Sequence, residues 1–484
     1  MLTLIRLKPC SALFLVNVLT ILVCATSPTP LPNVVRKRDT RMGEYEQRVH
    51  KNWSGTDQSH PSRIFYPTKP EDIINIIQYA NTNNISVRFA GTGHSWNGLT
   101  STDGYVVNTD AFKKVLNVNR GRCQVQVECG MKLHELFDAL HTEGLALPTQ
   151  GYIAAQSVAG SISTGTHGSA HVGSISNFIV GMKIVDAQGK LHVLTEDKTP
   201  DELAAARISL GALGFIYSVT LQCRPAFVLE HKRTKMNLDY ALQHYMDFYN
   251  NNDFCWLMCH PMSDTALVFE FQETDKAPTD NTLIELNDDI IFSKVMNVFS
   301  IASAHYLPGL TNDFFSTTFS ILSQPPHRDY SYKLLSPIRN PQPVENYVEG
   351  EIAIPIQAFP QAVAAVKRLY ETYKSPDFEL VGVMLCRFAK ASNNALLAQN
   401  YDRDVAYISL TTLSIFPPVH QFYTDFQLIM LKFGGRPHWG KVNVLNKDLV
   451  NYLYGDNAVK FNQVRKTYDP KGIFSNDFVK QLFD

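Results

Sequence analysis

The stretch Arg88-Phe89-Ala90-Gly91-Thr92-Gly93-His94-Ser95-Trp96-Asn97 decides how this sequence is interpreted. It follows a helical pattern from Glu71 to about Thr82 and a short β-type run from Ile85 to Phe89. A strand that enters a glycine-rich turn presents backbone N–H groups with no Cβ in the way, which suits a phosphate. Imidazole is a nucleophile as well as a proton carrier. The stretch is therefore either a phosphate loop whose histidine bonds a cofactor or a tight turn with an incidental histidine.

Small residues and hydroxyls dominate a second stretch, Ser157 to Gly168, which reads Ser-Val-Ala-Gly-Ser-Ile-Ser-Thr-Gly-Thr-His-Gly. Such a segment lets the backbone approach a flat ring or a diphosphate closely. Its hydroxyls can hydrogen-bond the polar atoms of a ring system. The alternative interpretation is a flexible Ser/Gly loop.

Length and composition favour a globular protein of two or three domains, because 484 residues exceed one ordinary domain. Hydrophobic residues make up 45% of the chain, which supports a sizeable core. The formal net charge of −1 offers no basic surface for nucleic acid, so no nucleic-acid partner is predicted.

The order of local patterns predicts an α+β architecture in two domains. Residues 56–227 alternate β-type and helical patterns, whereas aromatic residues and longer helical patterns follow over 228–450. A turn near the end of the chain predicts that residues 451–484 return to the first domain. The predicted strands are 105–107, 124–128 and 215–223, with a hairpin over 179–194, and the predicted helices are 132–141, 201–210, 240–249 and 357–373.

The N-terminus predicts entry into the secretory pathway, with secretion or retention in the lumen of the endoplasmic reticulum. Residues 1–25 combine a basic start with an apolar core shorter than the roughly 20 residues of a membrane span. Cleavage is therefore expected, and an uncleaved segment that anchors the chain to a membrane is the alternative. Residues 26–55 form a linker or a propeptide, and Arg36-Lys37-Arg38 is either a processing site or a solvated linker.

Two glycosylation sequons, at Asn52 and Asn84, are consistent with this route. The six cysteines beyond the signal are sparse and show no disulfide framework. Neither His134-Glu135 nor the histidines at 167 and 171 have the spacing of a metal motif. We therefore predict no metal site.

Three stretches in this order resemble the vanillyl-alcohol-oxidase (PCMH) type of FAD enzyme. They are Gly91 to Ser95, Ala159 to Gly168, and Arg436-Pro437-His438-Trp439-Gly440-Lys441 with the Asp469 to Asp477 ending. The most similar subgroup is the sugar-1,4-lactone oxidases (gulonolactone and arabinonolactone oxidases) with the related alditol oxidases. The resemblance implies an FAD-binding domain and a cap domain with a large antiparallel sheet.

The resemblance also implies the cofactor site. FAD would be held covalently, with His94 bonded to the 8α carbon of the flavin, and Ile216 would contact the adenine side through its main chain. The implied cofactor-binding residues are Gly91, Thr92, Gly93, His94, Ser95, Gly160, Ser161, Ser163, Thr164, Gly165, Thr166, His167, Ile216 and Asn476.

The implied chemistry is the oxidation of a sugar lactone or polyol by hydride transfer to flavin N5, with oxygen or another acceptor taking the electrons. A fixed cation stabilises the negative charge of the reduced ring. The resemblance assigns Lys441 and Arg387 to charge stabilisation and substrate binding, and it matches Glu351 to a family glutamate. His438 either takes part in the chemistry or orients Trp439 and the cap.

Two departures from the family pattern leave the substrate and the acceptor open. Leu385 stands where a glutamate usually precedes the arginine, and Glu349 or Glu351 would have to replace that carboxylate. Asp110 stands where a small residue controls oxygen access, so it either blocks oxygen or caps a helical turn. The alternatives to a lactone oxidase are an alditol or oligosaccharide oxidase, a dehydrogenase, and a flavin- or carbohydrate-binding protein that has lost turnover.

Overall fold

The computed structural model describes residues 37–39, 42–282, 284, 311–339, 341, 347–375, 378, 380, 382–414 and 416–484. The predicted signal segment 1–25 and the linker residues 26–36, with Arg36 of the basic triplet, lie outside the described residues. No helix in the described part of the chain is both long enough and apolar enough to cross a membrane.

Residues 37–225 build two five-stranded sheets and two two-stranded ones. In the first large sheet, ordered β1-β2-β5-β7-β6, the last three strands are parallel, and the second, ordered β12-β11-β13-β9-β8, is antiparallel. The strands are β1 Lys37–Asp39, β2 Gly43–Glu46, β3 His50–Lys51, β4 Gln58–Ser59, β5 Arg63–Tyr66, β6 Val87–Ala90, β7 Tyr105–Asn108, β8 Val115–Asn119, β9 Gln124–Glu128, β10 Leu145–Ala146, β11 Ile179–Val185, β12 Leu191–Thr195, β13 Phe215–Gln222 and β14 Arg224–Pro225.

Residues 228–437 contribute one eight-stranded antiparallel sheet, ordered β18-β15-β17-β16-β20-β21-β19-β22. Its strands are β15 Val228–Asn237, β16 Phe254–Cys259, β17 Thr265–Thr274, β18 Gln324–Tyr330, β19 Tyr347–Pro355, β20 Met384–Ala389, β21 Val405–Leu413 and β22 Arg436–Pro437. The predicted α+β class with a large antiparallel sheet is thus confirmed.

The described helices are α1 Pro70–Asn83, α2 Leu133–Thr142, α3 Val158–Thr164, α4 Pro200–Ala206, α5 Leu238–Gln243, α6 Tyr245–Asn251, α7 Thr311–Leu322, α8 Ser331–Leu335, α9 Phe359–Tyr373, α10 Val419–Leu431, α11 Lys447–Tyr454, α12 Asp456–Tyr468 and α13 Asp477–Phe483. Helix α1 begins at a proline with two acidic residues in its first turn, which suits the positive end of the helix. It ends at Asn84 in the left-handed conformation.

The two faces of the eight-stranded sheet have different roles because side chains alternate along each strand. On β19, Val348, Ile352 and Ile354 pack into the core under helices α9 and α10. Glu351 faces the other way and lies 3.3 Å from the Nε2 atom of His167 in the first part of the chain. The polar face of the sheet therefore closes over the glycine-rich segments.

The C-terminal segment packs on the first part of the chain. The Val87 N–H donates to the Ile473 carbonyl at 2.7 Å, and the Phe89 and Phe474 rings lie 5.6 Å apart. Buried Arg88 donates to the Phe474 carbonyl.

Three local predictions are corrected by the structure. The predicted helix 240–249 is two short helices that meet at His244. The predicted helix 201–210 spans Pro200–Ala206, and Leu210, with a positive φ of 54°, lies in the turn that follows it. The stretch Ser157 to Gly168, for which a flexible Ser/Gly loop was the alternative interpretation, contains helix α3, whose start is capped by Ser157 accepting from the Gly160 N–H at 3.3 Å.

Candidate flavin-binding active site

A cavity of about 870 Å³, measured out to its open mouth, lies between the histidine loop (Gly91–Asn97), helix α3 and strand β13. Residues from distant parts of the sequence line it, including His438, Gly440 and Lys441 at the end of the lysine motif (Arg436–Lys441). The predicted site residues among its lining are Gly91, Thr92, Gly93, His94, Ser95, Gly160, Ser163, Thr164, Ile216, His438 and Lys441.

Two glycines shape the histidine loop. Gly93 has a φ of +72°, a conformation that other residues rarely adopt. A Cβ on Gly91 would lie 2.2 Å from the Ser157 Oγ, so only glycine allows the loop to touch the start of α3. The loop backbone thus forms one wall of the cavity, as a close approach to a ligand requires.

His94 is a neutral imidazole held by an aromatic partner. The Trp53 ring stacks on it with centroids 4.6 Å apart. Burial, followed by the charges of Lys441 and Lys132, lowers the pKa of His94 to about 4. Its Nδ1 atom is buried and has no hydrogen-bond partner among the described residues. A neutral ring with an unpartnered nitrogen is the form that can attack a cofactor.

The histidine loop is tied to the lysine motif by two hydrogen bonds. The Trp96 backbone N–H donates to the Gly440 carbonyl at 2.9 Å, and the Asn97 side-chain amide donates to the Lys441 carbonyl at 2.9 Å. The Lys441 Nζ lies 2.5 Å from a Glu349 carboxylate oxygen and 4.0 Å from the centre of the Trp96 ring. The structure thereby brings Lys441 to the same cavity as His94.

Arg387 lies in a second polar cluster, on the sheet face beside the cavity. Its Nη2 donates to Glu351 at 2.6 Å, and the His167 Nε2 lies 3.3 Å from the same oxygen. Burial alone would raise the pKa of Glu351, but Arg387 and then His167 outweigh it and hold that pKa well below its usual value. The carboxylate is therefore ionised and paired.

The ligand atoms of His167, Glu351 and His438 lie within 4.8 Å of one another, an arrangement that sequence spacing alone did not indicate. Arg387 already donates to the Glu351 oxygen, so a metal ion would have to displace a guanidinium. The predicted absence of a metal site stays a prediction.

Five predicted cofactor residues lie outside the cavity lining. Ser161 donates to the Val158 carbonyl, Thr166 donates to Gln156, and His167 belongs to the Arg387 cluster. Gly165 ends helix α3, and Asn476 donates to the carbonyls of Gly98, Leu99 and Ser101. These five residues therefore lie behind the cavity wall and hold its segments in place.

The structure also locates Asp110 and Leu385, the two positions at which the sequence departs from the family pattern. Asp110 is exposed and accepts from the Asn108 amide at 3.2 Å, whereas its neighbour Thr109 lines the cavity. Leu385 pairs in register with Ser409 and Met258, and it packs against an aromatic cluster of the sheet.

Trp53, which stacks on His94, is the contact that the sequence analysis did not predict, because Trp53 drew attention only as the middle residue of a glycosylation sequon.

These features fit FAD. A glycine-lined wall suits a diphosphate, the unpartnered His94 nitrogen suits a covalent bond, and Lys441 offers a cation for a reduced ring. The geometry and charge of the cavity therefore support FAD as the cofactor.

Comparison with known proteins agrees. The profile described as D-arabinono-1,4-lactone oxidase matches residues 219–482, and the FAD binding domain profile matches residues 61–195. The chain is 28% identical to the L-gulonolactone oxidase of Mus musculus, over 91% of this chain and 99% of that protein. It is 27% identical to the L-gulono-1,4-lactone dehydrogenase of Mycobacterium tuberculosis, over 90% of this chain and 99% of that one.

The fold itself is shared with a solved structure. The cholesterol oxidase of Brevibacterium sterolicum superposes with a TM-score of 0.74 at 14% identity, covering 95% of this chain and 100% of that chain. The chain belongs to the D-arabinono-1,4-lactone oxidase family of FAD-dependent oxidoreductases.

Proposed function

We propose that this protein oxidises a sugar-derived 1,4-lactone, of the D-arabinono or L-gulono type, with FAD bonded to His94 and oxygen as the electron acceptor. The observation that carries the proposal is that neutral His94 and the paired cation of Lys441 line one cavity. The names of the relatives support the substrate class.

The cofactor supplies the hydride acceptor, and the protein supplies fixed charges. Glu349 holds the Lys441 ammonium at 2.5 Å, so that cation is oriented before any reaction. Arg387 is anchored by Glu351, and its buried Nε has no partner among the described residues, which leaves a donor for a substrate oxygen.

His438 acts as a hydrogen-bond donor in this arrangement. Its Nδ1 accepts from the Gly440 N–H at 3.1 Å, so the ring proton is on Nε2. Burial above all lowers the pKa of His438 to about 3. The ring is therefore neutral at physiological pH and orients its neighbours rather than carrying charge.

The covalent bond and the substrate class are tested separately. Acid-denatured protein should keep its yellow colour, and His94→Ala should release or lose it. Under anaerobic conditions D-arabinono-1,4-lactone or L-gulono-1,4-lactone should bleach the flavin. Bleaching by polyols alone would favour an alditol oxidase, and no bleaching by any compound would favour a binding protein without turnover.

A dehydrogenase is the second candidate, because the mycobacterial relative carries that name. For oxygen we expect one hydrogen peroxide per lactone oxidised in air. Turnover with an artificial acceptor but without peroxide would replace the oxidase by the dehydrogenase.

For the compartment we propose the secretory pathway, on the basis of residues 1–25. Asn84 is exposed at the end of α1, whereas the buried Asn52 amide donates to the Ser95 carbonyl at 2.8 Å. A glycan at Asn84 and none at Asn52 is therefore expected. In secreted protein, Asn84→Gln should abolish the mobility shift caused by an N-glycosidase, whereas a shift that persists would place the glycan elsewhere.

A further inference from the structure

Two arginines and two tyrosines form a polar group that the proposed chemistry does not use. We call Arg403, Arg436, Tyr407 and Tyr454 the arginine–tyrosine cluster. None of the four lines the flavin cavity. They lie where strands β19, β21 and β22 meet the segment before β21 and helix α11.

The register of the sheet places two members of the cluster on one face. Arg436 pairs with Ala353 on β19, and Ala353 pairs with Tyr407 on β21. Directly paired residues point to the same side of an antiparallel sheet. The small Ala353 side chain therefore lies between two long ones.

The other two members lie near Arg436. The Arg436 guanidinium lies 5.0 Å from the centre of the Tyr454 ring. A Cβ on Gly434 would lie 3.3 Å from the Arg403 Nη1. The Arg403 guanidinium therefore packs against Gly434, which is two residues before Arg436 in the sequence. Burial, and then the neighbouring Arg436, lower the pKa of Arg403 to about 10.

Several donors of the cluster have no bonded acceptor among the described residues. The Nε and Nη2 of Arg403 and the hydroxyls of Tyr407 and Tyr454 are buried, and none has a hydrogen-bond partner among the described residues. Buried polar groups are almost always bonded, so four such donors in one place require an explanation.

The charges have the same sign. Arg436 donates to the backbone carbonyls of Leu453 and Tyr401, and no carboxylate in the described part of the chain forms an ion pair with it. The groups that act electrostatically on Arg403 are Arg436, Tyr454 and Tyr407, with no carboxylate among them. Glu351, the acid that acts on Tyr407, is already paired with Arg387.

We propose that the arginine–tyrosine cluster binds one small inorganic anion, a halide such as chloride, above Ala353. A halide accepts hydrogen bonds from all sides and offsets one of the two guanidinium charges, whereas a water molecule brings two more hydrogens and no charge. A monatomic ion also suits hydroxyls that are closed off from solvent.

The bound ion would affect the active site through the Tyr407 ring. Tyr407 stacks on His167 with centroids 3.3 Å apart, and His167 lies beside the Arg387–Glu351 pair. An acceptor for the Tyr407 hydroxyl would therefore fix the ring on which this pair rests.

Bromide is the probe, used with the flavin-loaded protein. Crystals grown in sodium bromide should show an anomalous peak within hydrogen-bond distance of the Tyr407 and Tyr454 hydroxyls. In solution, the melting temperature should rise in a saturable way in bromide or chloride relative to gluconate at equal ionic strength. No anomalous peak at the cluster, together with equal melting temperatures in the three salts, would overturn the proposal.

Variants on one helix give the matched control. Tyr454→Phe removes a buried donor and should weaken the bromide effect about tenfold. Tyr452→Phe removes a hydroxyl from a side chain that is 79% exposed, and it should leave the effect unchanged. Equal loss in both variants, or in neither, would contradict a site at the cluster, and the crystal experiment with the unaltered protein decides the matter if Tyr454→Phe fails to fold.

Discussion

Lys441 is fixed by two groups of different kinds, the Glu349 carboxylate at 2.5 Å and the face of the Trp96 ring at 4.0 Å. A charge held in place before reaction is worth more than one that must be oriented during it. We expect Lys441→Met to slow flavin reduction by lactone about 100- to 1,000-fold while the flavin stays bound. Anaerobic stopped-flow reduction measures this rate.

The same variant leaves the Glu349 carboxylate without its cation, so a loss of activity could come from misfolding. The double variant Lys441→Met with Glu349→Gln removes that unpaired charge. It should recover the melting temperature of the unaltered protein but not the rate. Recovery of the rate as well would mean that the lysine is structural.

At the residue level, the sequence indicated the side chains of the proposed site but not the partners that hold them. Glu349 and Glu351 are two residues apart on one strand, so both point toward the site, and the pattern alone did not assign them. The structure pairs Glu351 with Arg387 and Glu349 with Lys441. These pairings depend on neighbouring strands far away in the sequence.

At the scale of elements, the segment over residues 52–57 acts as a latch on the histidine loop. The Trp53 N–H donates to the Gly93 carbonyl at 2.9 Å, and the Asn52 amide donates to the Ser95 carbonyl at 2.8 Å. The Trp53 ring covers the imidazole of His94. The latch thus fixes both the backbone and the ring of the proposed flavin attachment point.

Trp53→Ala should therefore lower the fraction of flavin that stays with acid-denatured protein, while total FAD bound before denaturation changes little. Trp53→Phe keeps an aromatic ring against His94 and should retain most of the covalent fraction. The measurement compares flavin absorbance in the precipitate and in the supernatant. An unchanged covalent fraction in Trp53→Ala would remove any role of the latch in attachment.

Local sequence patterns predicted most of the helices and strands but not all of their boundaries. The apolar period of α1 and the hairpin of β11 and β12 were predicted because their signals lie within the segment itself. Helix α3 was not, because its glycine, serines and threonine have low helix propensity. Burial of Val158 and Ile162 in the core supplies the stabilisation that propensity lacks.

At the scale of the whole molecule, the two-part architecture was predictable and the contact between the parts was not. Arg88 bonds a carbonyl at residue 474, and Trp96 bonds one at residue 440. Hydrophobic periodicity within one segment cannot predict hydrogen bonds between residues that lie hundreds of positions apart in the sequence. Only the resemblance to a family linked the histidine loop to the lysine motif before the structure did.

The chain as a whole buries several histidines in neutral form, which makes its stability depend on pH. The pKa values of His94, His260 and His438 are lowered to about 4, about 4 and about 3, in each case chiefly by burial. An unfolded chain binds protons to these rings near pH 6.5, whereas the folded protein does not. The stabilisation is therefore fully present above pH 6.5 and is lost as the pH falls toward 4.

His260 isolates this effect because it lies apart from the flavin cavity. Its Nδ1 accepts from the Met262 N–H at 3.2 Å and its Nε2–H donates to the Leu380 carbonyl at 2.5 Å, so the folded protein has no place for a second ring proton. His260→Gln should flatten the fall in unfolding free energy between pH 6.5 and 5 by up to about 1.4 kcal/mol per pH unit. Chemical denaturation across this range measures the slope, and exposed His420→Gln serves as the control. If the slopes of His260→Gln and the unaltered protein are parallel, His260 does not contribute to the acid sensitivity, since any loss of packing would shift the whole curve without changing its slope.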